Sequence, residues 1–568
     1  MPTLDFKGKQ HIYAHHLTVP YRPIETDESR SYNPPACGGK EGGTDDNLII
    51  HGDNLHALKA LLPRYANRIK CIYIDPPYNT GSQAWVYNDR VNSPLMQEWF
   101  AQNSPVDGED LERHDKWLCM MWTRLHLLRE LLSDDGVIFV SIDDHEQHHL
   151  RMIMDEIFGV ETFIACLAAV LNLKGSRDNR GFTTTHESVL VYEKVARSAT
   201  LHEVPLRDDD IDDWHQDDVG WYKKGANLRY SGENAPREKR PNLFYPIYVY
   251  EDGTVGVEPK SDTSVELWPI ADGNQEVTWR WGRDTVAANP NEILAVRSGI
   301  GWTLHKKQRP PVGVVPSKKP KSTFYSPKYS ATTATTIVKE IFDNTRTFDY
   351  PKSPHFLADL INIAGVGTND IVLDSFAGSG TTAHAVLALN KEDGGNRKFI
   401  LIECEDYADT ITAERVRRVI NGVPDARDAL LREGLGGSFT YATLGEPIEI
   451  EGMLTGKVLP SYESLATHLL YIAAGVSIGA NALNQKNGDG LFHSGDGVDY
   501  YLFYKPDLEY LRSNAAMLNL ERAKRIHNTS CQNGGKAIVY APGKYIGQRE
   551  LTGMGITFCQ LPQALHER

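Results

Sequence analysis

The stretch Val372-Leu-Asp-Ser-Phe-Ala-Gly-Ser-Gly-Thr-Thr-Ala383 constrains the fold of this chain more than any other segment. It begins as an apolar strand, turns at two closely spaced glycines and continues into a sequence typical of a helix. Glycines at such a turn let the backbone approach a ligand, and the start of the helix offers unpaired N–H groups. Glu403 ends the next apolar run, where its carboxylate can accept hydrogen bonds from ribose hydroxyls. This pattern predicts an open α/β sheet that binds a nucleotide-like cofactor.

The same alternation of strands and helices occurs in two separate blocks of the chain. Before residue 200, buried β-branched runs such as Val137–Val140 follow helical patterns such as 115–132. The alternation resumes over 354–421. Between the blocks, periodicity weakens and Trp, Tyr, Pro and Gly become frequent. The pattern predicts a Rossmann-like, doubly wound and mostly parallel sheet that is split by an inserted domain.

These changes in composition predict the domain boundaries. The predicted segments are an N-terminal arm (1–45), the first half of the sheet domain (46–200), an inserted domain (201–344), the second half of the sheet domain (345–440) and a C-terminal α/β domain (441–568). A chain of 568 residues is too long for one ordinary core, which agrees with several domains.

Composition indicates a soluble protein of a reducing compartment. The hydrophobic fraction is 41% and the charged fraction 24%, as in globular proteins. No run approaches the roughly 18 apolar residues that span a membrane, and the N-terminus lacks the regions of a signal peptide. The seven cysteines are scattered without CxxC spacing. We therefore expect reduced thiols, a cytoplasmic location, no membrane association and no metal site.

A second stretch, Ile72-Tyr-Ile-Asp-Pro-Pro-Tyr-Asn-Thr-Gly81, ends a buried strand with an unusual set of groups. The strand cannot continue through Pro76 and Pro77, because neither has an N–H for the sheet. The carboxylate of Asp75 and a backbone carbonyl can then accept the two N–H groups of an exocyclic amine, while the ring of Tyr78 stacks on a base. These groups suit a base that has been removed from its duplex.

The glycine turn alone leaves the cofactor open. Gly378-x-Gly380-x-x-Ala383 satisfies a loose dinucleotide pattern, so a nicotinamide or flavin cofactor competes with S-adenosylmethionine. A P-loop is excluded, since no Gly-Lys-Ser/Thr follows the turn. An oxidoreductase would leave Asp75-Pro-Pro-Tyr78 without a role, and this tetrapeptide therefore favours a methyltransferase.

Together the two motifs resemble the amino-methylating DNA methyltransferases. That family is marked by a D/N/S-P-P-Y/F/W tetrapeptide and an F-x-G-x-G cofactor motif, which stand here as Asp75-Pro-Pro-Tyr78 and Phe376-Ala-Gly-Ser-Gly380. Their order, with a recognition region between them, resembles the beta class. The resemblance covers about 45–195 and 345–421. It is greatest to the modification subunits of type III restriction systems and their solitary relatives.

The resemblance implies direct methyl transfer from S-adenosylmethionine to the amine, without a covalent enzyme intermediate. The aspartate in first position implies N6 of adenine in double-stranded DNA as the target. It implies a catalytic set of Asp75, Pro76, Pro77 and Tyr78. It implies a cofactor-binding set of Asp53, Lys352, Asp374, Phe376, Ala377, Gly378, Ser379, Gly380, Thr381 and Glu403. A homodimer and a cognate restriction subunit are the implied partners. Lys352 could equally be a solvated lysine at the start of a helix.

The net charge of −15 argues against DNA binding only if basic residues are evenly spread. They are clustered in and next to the inserted segment, with aromatic residues between them. The predicted DNA-binding residues are Lys174, Arg177, Arg180, Lys223, Lys224, Arg229, Lys306, Lys307, Arg309, Lys318, Lys319 and Lys321. Any one cluster could be an ordinary solvated face, but three that border one predicted site favour a phosphate-binding surface.

Two alternatives stay open on the sequence. The same enzyme could act on N4 of cytosine, because the choice of adenine rests on a family correlation. The chain could also be a specificity subunit that binds DNA without catalysis. Intact Asp75, Tyr78, Gly378, Gly380 and Glu403 argue against the second alternative.

Overall fold

A computed structural model describes residues 3–33, 47–79, 113–173, 175, 181–205, 214–299, 301–310, 317–478, 483, 490–531 and 535–565. The chain divides into two compact units. The first combines Met1–His202 with Lys321–Arg568, and the second is Glu203–Pro320. No helix among the described residues is long and apolar enough to cross a membrane.

The strands follow in chain order. They are β1 (Ile24–Thr26), β2 (Leu48–His51), β3 (Ile69–Ile74), β4 (Leu132–Ile142), β5 (Phe163–Val170), β6 (His186–Glu193), β7 (Val204–Pro205), β8 (Trp214–Asp217), β9 (Gly220–Asn227), β10 (Ile247–Val249), β11 (Val255–Gly256), β12 (Val265–Leu267), β13 (Ile270–Ala271), β14 (Gln275–Glu276), β15 (Ile293–Ser298), β16 (Gly301–Gln308), β17 (Ser317–Lys318), β18 (Thr323–Tyr325), β19 (Ile371–Asp374), β20 (Lys398–Glu403), β21 (Thr440–Leu444), β22 (Leu491–Gly495), β23 (Val498–Leu502), β24 (Lys536–Ala541) and β25 (Ile556–Gln560).

The α-helices are numbered in the same way. They are α1 (Lys9–Ile12), α2 (His15–Thr18), α3 (Asn54–Tyr65), α4 (Arg113–Leu131), α5 (Gln147–Phe158), α6 (Arg283–Ala288), α7 (Ala331–Ile341), α8 (Pro354–Ile363), α9 (Thr381–Asp393), α10 (Glu414–Asn421), α11 (Ala429–Glu433), α12 (Ile450–Thr455), α13 (Tyr462–Ala474), α14 (Leu508–Arg512), α15 (Leu520–Ile526) and α16 (Gln548–Gly553).

A ten-stranded sheet forms the centre of the first unit, in the order β1-β21-β2-β20-β19-β3-β4-β6-β5-β18. Its neighbouring strands run parallel except at β1–β21, β4–β6 and β5–β6. Every residue of β3 is buried, as expected for a strand with helices on both faces. Leu58 of α3, Leu125 of α4 and Ile153 of α5 share one core with Ile72 of that strand. The mostly parallel α/β sheet predicted from the sequence is confirmed.

The two halves of the sheet meet at strands β3 and β19. These strands lie side by side and parallel, with Ile72 opposite Leu373. Strand β20 flanks β19 on its other side, and β2 follows it. Because all four strands point the same way, the residues that follow them lie at one edge of the sheet.

Three segments differ from the expected boundaries. The stretch 133–136, which lies between the predicted helix 115–132 and the predicted strand Val137–Val140, is the beginning of β4, where a register shift between Ile69 and Cys71 accommodates the added residues. Residues 3–33 are not a separate arm, because β1 pairs with β21 and Phe6 and Ile12 lie in the core. Residues 321–344 belong to the first unit, since β18 pairs with β5.

The remaining regions have sheets of their own. In the second unit, the largest sheet has the order β15-β16-β9-β8, and Trp279 lies in the unit's apolar core. The C-terminal region contains the sheet β22-β23-β24-β25, in which β23, β24 and β25 are parallel. Its core includes Tyr21 from the N-terminus, and the Tyr21 hydroxyl lies 3.2 Å from the Ser464 hydroxyl.

Candidate functional site

The predicted catalytic and cofactor motifs lie side by side at the carboxyl edge of the large sheet. Asp75 directly follows β3, Asp374 ends β19 and Glu403 ends β20. The order β20-β19-β3 therefore brings together three carboxyl side chains that are far apart in the sequence. This edge is where open α/β sheets bind their ligands.

The Asp75-Pro-Pro-Tyr78 turn is held by one hydrogen bond within it and by another from α4. The Tyr78 hydroxyl donates to Asp75 Oδ1 at 2.7 Å. The indole N–H of Trp117, which is buried in α4, donates to the carbonyl of Pro77 at 2.7 Å. Since the prolines have no N–H, the turn is fixed through its carbonyls and its acidic side chain.

Lys352 lies beside the Asp75-Pro-Pro-Tyr78 turn, which is predicted to be catalytic. Its ammonium is 2.8 Å from Asp75 Oδ2 and 3.1 Å from Glu187 Oε1, and it donates to the Tyr78 hydroxyl at 2.8 Å. Its backbone carbonyl accepts a hydrogen bond from the Thr381 hydroxyl at 3.3 Å. Lys352 was predicted to bind the cofactor, and the structure shows that it connects the glycine turn to the catalytic turn.

Glu187 belongs to this cluster although the sequence did not predict it. It lies near the start of β6, and its Oε2 is 2.9 Å from the Tyr78 hydroxyl oxygen. Burial raises the pKa of Glu187, and the nearby Lys352 charge only partly opposes that rise. Burial alone would lower the pKa of Lys352, but Asp75 and Glu187 outweigh it, and this pKa is raised. Burial and both carboxylates hold the pKa of Tyr78 well above its usual value.

The glycine turn has a backbone that requires glycine at two positions. Gly378 and Gly380 have φ angles of 51° and 77°, in the left-handed region. A Cβ atom on Gly380 would lie 3.1 Å from the carbonyl oxygen of Thr412, and one on Gly378 would lie 3.2 Å from the ring of Phe348. The Thr412 hydroxyl also donates to the Gly378 carbonyl at 2.6 Å.

Asp374 and Glu403 support this turn in different ways. Asp374 accepts hydrogen bonds from the Phe376 N–H at 3.0 Å and the Thr382 hydroxyl at 2.5 Å, so both of its oxygens hold the turn. Glu403 accepts from the Gly378 N–H at 2.7 Å and from two backbone N–H groups that follow it. Burial raises the pKa of each acid to about 7.

Two further residues complete the cofactor side. Asp53 caps α3 by accepting the Leu55 N–H at 2.8 Å, and it lies beyond the end of β2, the neighbour of β20. Arg415 of α10 was not predicted. Its fully buried guanidinium donates at 2.8 Å to both the Ser379 and the Thr381 hydroxyls, and burial lowers its pKa to about 9.

The comparisons with known proteins agree with this geometry. Residues 69–414 match a family model described as DNA methylase. The chain belongs to this DNA methylase family. It is 37% identical to the EcoPI Mod subunit of a type III restriction–modification enzyme from Escherichia phage P1, over 65% of this chain and 59% of that protein. It is 33% identical to the type II methyltransferase M.KpnI of Klebsiella pneumoniae, over 62% of this chain and 80% of that protein.

Membership of the DNA methylase family confirms the resemblance found in the sequence. The aligned region spans 59% of the length of the EcoPI subunit, so that protein extends well beyond the match. Among solved structures, the PvuII DNA methyltransferase (cytosine-N4-specific) is 11% identical, with a TM-score of 0.31, and covers 66% of this chain and 88% of its own. That similarity is too low to add to the family assignment.

One cluster next to the Asp75-Pro-Pro-Tyr78 turn has ligand types that suit a metal ion. His114, Glu146 and His149 bring their nitrogen and oxygen atoms together. Glu146 is fully buried and accepts hydrogen bonds from the Asn79 amide and His114 at 2.5 Å each and from His149 at 2.8 Å. Three donors therefore satisfy this carboxylate. One of them, Asn79, directly follows Tyr78, so Glu146 also holds the end of that turn.

Glu146→Gln is expected to destabilise the first unit. A glutamine keeps one acceptor oxygen and points an NH₂ group at donors, which leaves buried polar atoms unsatisfied. We expect the free energy of unfolding to fall by about 3 kcal/mol. Urea denaturation measures this change. His145→Asn, whose exposed ring pairs with Asp143, is the matched control, and equal stability of the two variants would contradict the assigned role.

The predicted DNA-binding residues fall into three groups. Lys174, Arg177 and Arg180 lie outside the described residues. Lys307 and Arg309 are part of the fold, since both reach the Asp217 carboxylate at 2.7 Å and Arg309 also reaches Glu292 at 2.9 Å. Hydrogen bonds from Arg309 and Lys307 hold the pKa of Asp217 well below its usual value.

Three of the other basic residues are more accessible than Lys307 and Arg309. Lys224 on β9, Lys319 and Lys321 are exposed, and Lys318 is partly buried. Lys223 lies over the ring of Trp214 at 5.0 Å and Lys306 over that of Trp281 at 4.8 Å, while Arg229 donates to the carbonyl of Ile270. Sequence spacing alone did not separate these residues from Lys307 and Arg309, because the carboxylates that pair with the latter come from distant segments.

Proposed function

We propose that the chain transfers a methyl group from S-adenosylmethionine to the N6 amine of an adenine that has been flipped out of duplex DNA. The observation that carries this proposal is the placement of Asp75-Pro-Pro-Tyr78 beside the Phe376–Gly380 turn, on the adjacent strands β3 and β19. An amine-binding group and a cofactor turn at one sheet edge are what direct transfer between two bound molecules requires.

The catalytic turn suits an exocyclic amine. The Asp75 carboxylate and the Pro76 carbonyl would each accept one N–H of the amine, which moves electron density toward its nitrogen. The Tyr78 ring would stack on the base. The nitrogen would form its bond to the methyl carbon as the carbon–sulfur bond breaks and a neutral thioether leaves. The nitrogen would then be positively charged and would lose one proton. Asp75 is the base placed to receive that proton.

The residues of the glycine turn fit S-adenosylmethionine, which would supply a methyl carbon on a positively charged sulfur. Gly378 and Gly380 adopt left-handed backbone conformations that shape the turn, and α9 begins directly after them, where the start of a helix offers unpaired N–H groups. Glu403 would accept the ribose hydroxyls, and Asp53 would contact the adenine end. Phe376, Ala377, Ser379 and Thr381 would line the same pocket, with Asp374 and Arg415 holding the turn behind them.

We propose adenine rather than cytosine for two reasons: an aspartate begins the catalytic turn, and Mod subunits are among the relatives. By the same relationship, we infer that the chain acts as a homodimer with a cognate restriction subunit. The second unit, 203–320, would recognise the target sequence, and the C-terminal sheet would serve dimerisation. The cytoplasmic location stays a prediction.

A methyl-transfer assay tests the proposed function. The purified chain is incubated with duplex DNA of many sequences and S-adenosylmethionine that carries a tritiated methyl group. We expect tritium in the DNA fraction, and none when the DNA is omitted. A chain that binds DNA and cofactor but transfers no label would be a specificity subunit, and the proposal would fail.

Changing Lys318, Lys319 and Lys321 together to Ala is expected to weaken DNA binding and its dependence on salt. Each phosphate contact that is lost lowers the slope of log K against log salt by about 0.9. Filter binding or fluorescence anisotropy at several salt concentrations measures that slope. The charge-matched control is Lys391, Lys457 and Lys536 changed to Ala, all exposed and outside the inserted region. An equal slope in both triple variants would show that Lys318, Lys319 and Lys321 are ordinary solvent-exposed lysines that do not contact DNA phosphates.

A further inference from the structure

The catalytic cluster contains two carboxylates but one ammonium. Lys352 lies between Asp75 and Glu187, at 2.8 Å and 3.1 Å. The three side chains are mostly buried, with 24% of Asp75, 13% of Glu187 and 12% of Lys352 exposed. Charges removed from water to this extent cost free energy unless they are paired. The Lys352 ammonium therefore needs at least one carboxylate partner at all times.

The contacts of Asp75 raise a difficulty for amine binding. Its Oδ1 accepts the Tyr78 hydroxyl, and its Oδ2 faces the Lys352 ammonium. The proposed function requires the same carboxylate to accept an N–H of the target amine. An amine is a weaker donor than an ammonium, so Lys352 at Oδ2 competes with it for the Asp75 carboxylate. If Asp75 were the sole anion within reach, movement of Lys352 away from Oδ2 would leave a buried ammonium without a partner.

We propose that Glu187 is the alternative counter-ion of Lys352, a positioning residue that keeps the ammonium paired while Asp75 binds the amine. The inference rests on the proposed function. Lys352 needs little movement for this exchange, because it already contacts both carboxylates. The Tyr78 hydroxyl, which lies between Asp75 Oδ1 and Glu187 Oε2, stays within reach of both through the exchange.

The net charge of the cluster supports this role. With both acids ionised, Asp75, Glu187 and Lys352 carry a net charge of −1. That surplus can stabilise the positive charge that develops on the amine nitrogen during transfer. Without the charge of Glu187, Lys352 and Asp75 would form a neutral pair. The ammonium would then compete with the amine for Asp75 and oppose its developing charge.

Glu187 is expected to contribute to methyl transfer without contributing to stability at high pH. Glu187 faces Asp75 and Tyr78 of the catalytic turn, Tyr73 of β3 and Lys352, and burial raises its pKa. An acid with a raised pKa contributes most to stability below its unfolded pKa, and the contribution is lost as pH rises through the folded pKa. Above that pH, Glu187→Gln should therefore not lower stability, although it should lower activity.

The test compares E187Q, the double variant E187Q/K352M and the neighbouring control H186N in the full-length chain. Methyl-transfer rates are measured at saturating S-adenosylmethionine and DNA from pH 6 to pH 9, with urea denaturation at pH 8. We expect E187Q to transfer methyl groups about 100-fold more slowly than the unmodified chain. The urea concentration at its unfolding midpoint should be unchanged or higher. Its methyl-transfer rate should no longer show the fall at low pH that protonation of Glu187 causes in the unmodified chain. H186N should match the unmodified chain.

The double variant supplies the decisive comparison. If Lys352 traps Asp75 when Glu187 is uncharged, then removing the ammonium should make E187Q/K352M faster than E187Q. A double variant as slow as or slower than E187Q would overturn the counter-ion role, as would an E187Q rate equal to that of the unmodified chain. If the unmodified chain transfers no methyl group, the proposed function itself fails and this inference falls with it.

Discussion

Asp75→Ala is expected to lower the rate of methyl transfer by about 1000-fold, while S-adenosylmethionine still binds. The substitution removes one of the two acceptors that orient the amine and also removes the base nearest to it. The fold should tolerate the change, because Lys352 keeps Glu187 as a partner at 3.1 Å. Single-turnover transfer of tritium to DNA measures the rate, and isothermal titration calorimetry measures cofactor binding.

Asp144→Asn is the matched control for that experiment. Asp144 is exposed and follows β4, the strand next to β3. We expect its transfer rate to equal that of the unmodified chain. An Asp75→Ala variant that transfers methyl groups at the rate of Asp144→Asn would refute the role of Asp75.

Glu403→Ala is expected to weaken the binding of S-adenosylmethionine by roughly 10- to 100-fold, the value of one or two charge-assisted hydrogen bonds. The same carboxylate makes cofactor binding depend on pH. Burial raises the pKa of Glu403 to about 7, so its ionised form becomes scarce below that pH. Affinity should therefore fall as pH drops from 8 to 6 in the unmodified chain, and this dependence should be weaker in Glu403→Ala, in which Asp374 is the remaining acid of the turn with a pKa near 7.

Glu405→Gln controls for the loss of a charge near the turn. Its side chain is two residues beyond Glu403, and its N–H, which the substitution keeps, donates to the Glu403 carboxylate at 3.0 Å. Calorimetric titrations of both variants at pH 6 and pH 8 give the comparison. Equal cofactor affinities in Glu403→Ala and Glu405→Gln would contradict ribose binding by Glu403.

The sequence predicted the sheet and the meeting of its two motifs because both follow from local rules. A strand that stops at Pro76 and one that turns at Gly378 each end at the carboxyl edge of a parallel sheet. The rule that parallel strands share this edge then places the two motifs together. Strand β19 beside β3 is the arrangement that this reasoning requires.

What the sequence could not predict depends on contacts between distant segments. Glu187 lies in the site because β6 pairs antiparallel with β4. Arg415 lies on α10, which follows β20, and from there it contacts Ser379. Lys307 and Arg309 look like any basic cluster until Asp217 folds against them. Local periodicity reports none of these pairings, since each depends on how separate strands and helices pack.

Identification of the methylated nucleoside tests the central claim most directly. Duplex DNA that has been treated with the purified chain and S-adenosylmethionine is digested to nucleosides, which are separated and weighed by mass spectrometry. The arrangement of Asp75-Pro-Pro-Tyr78 beside the Phe376–Gly380 turn predicts N6-methyladenosine in its deoxy form, absent when the Asp75→Ala variant is used. N4-methylcytosine without methyladenine would contradict the proposed target, and unmodified nucleosides throughout would contradict the proposed enzyme.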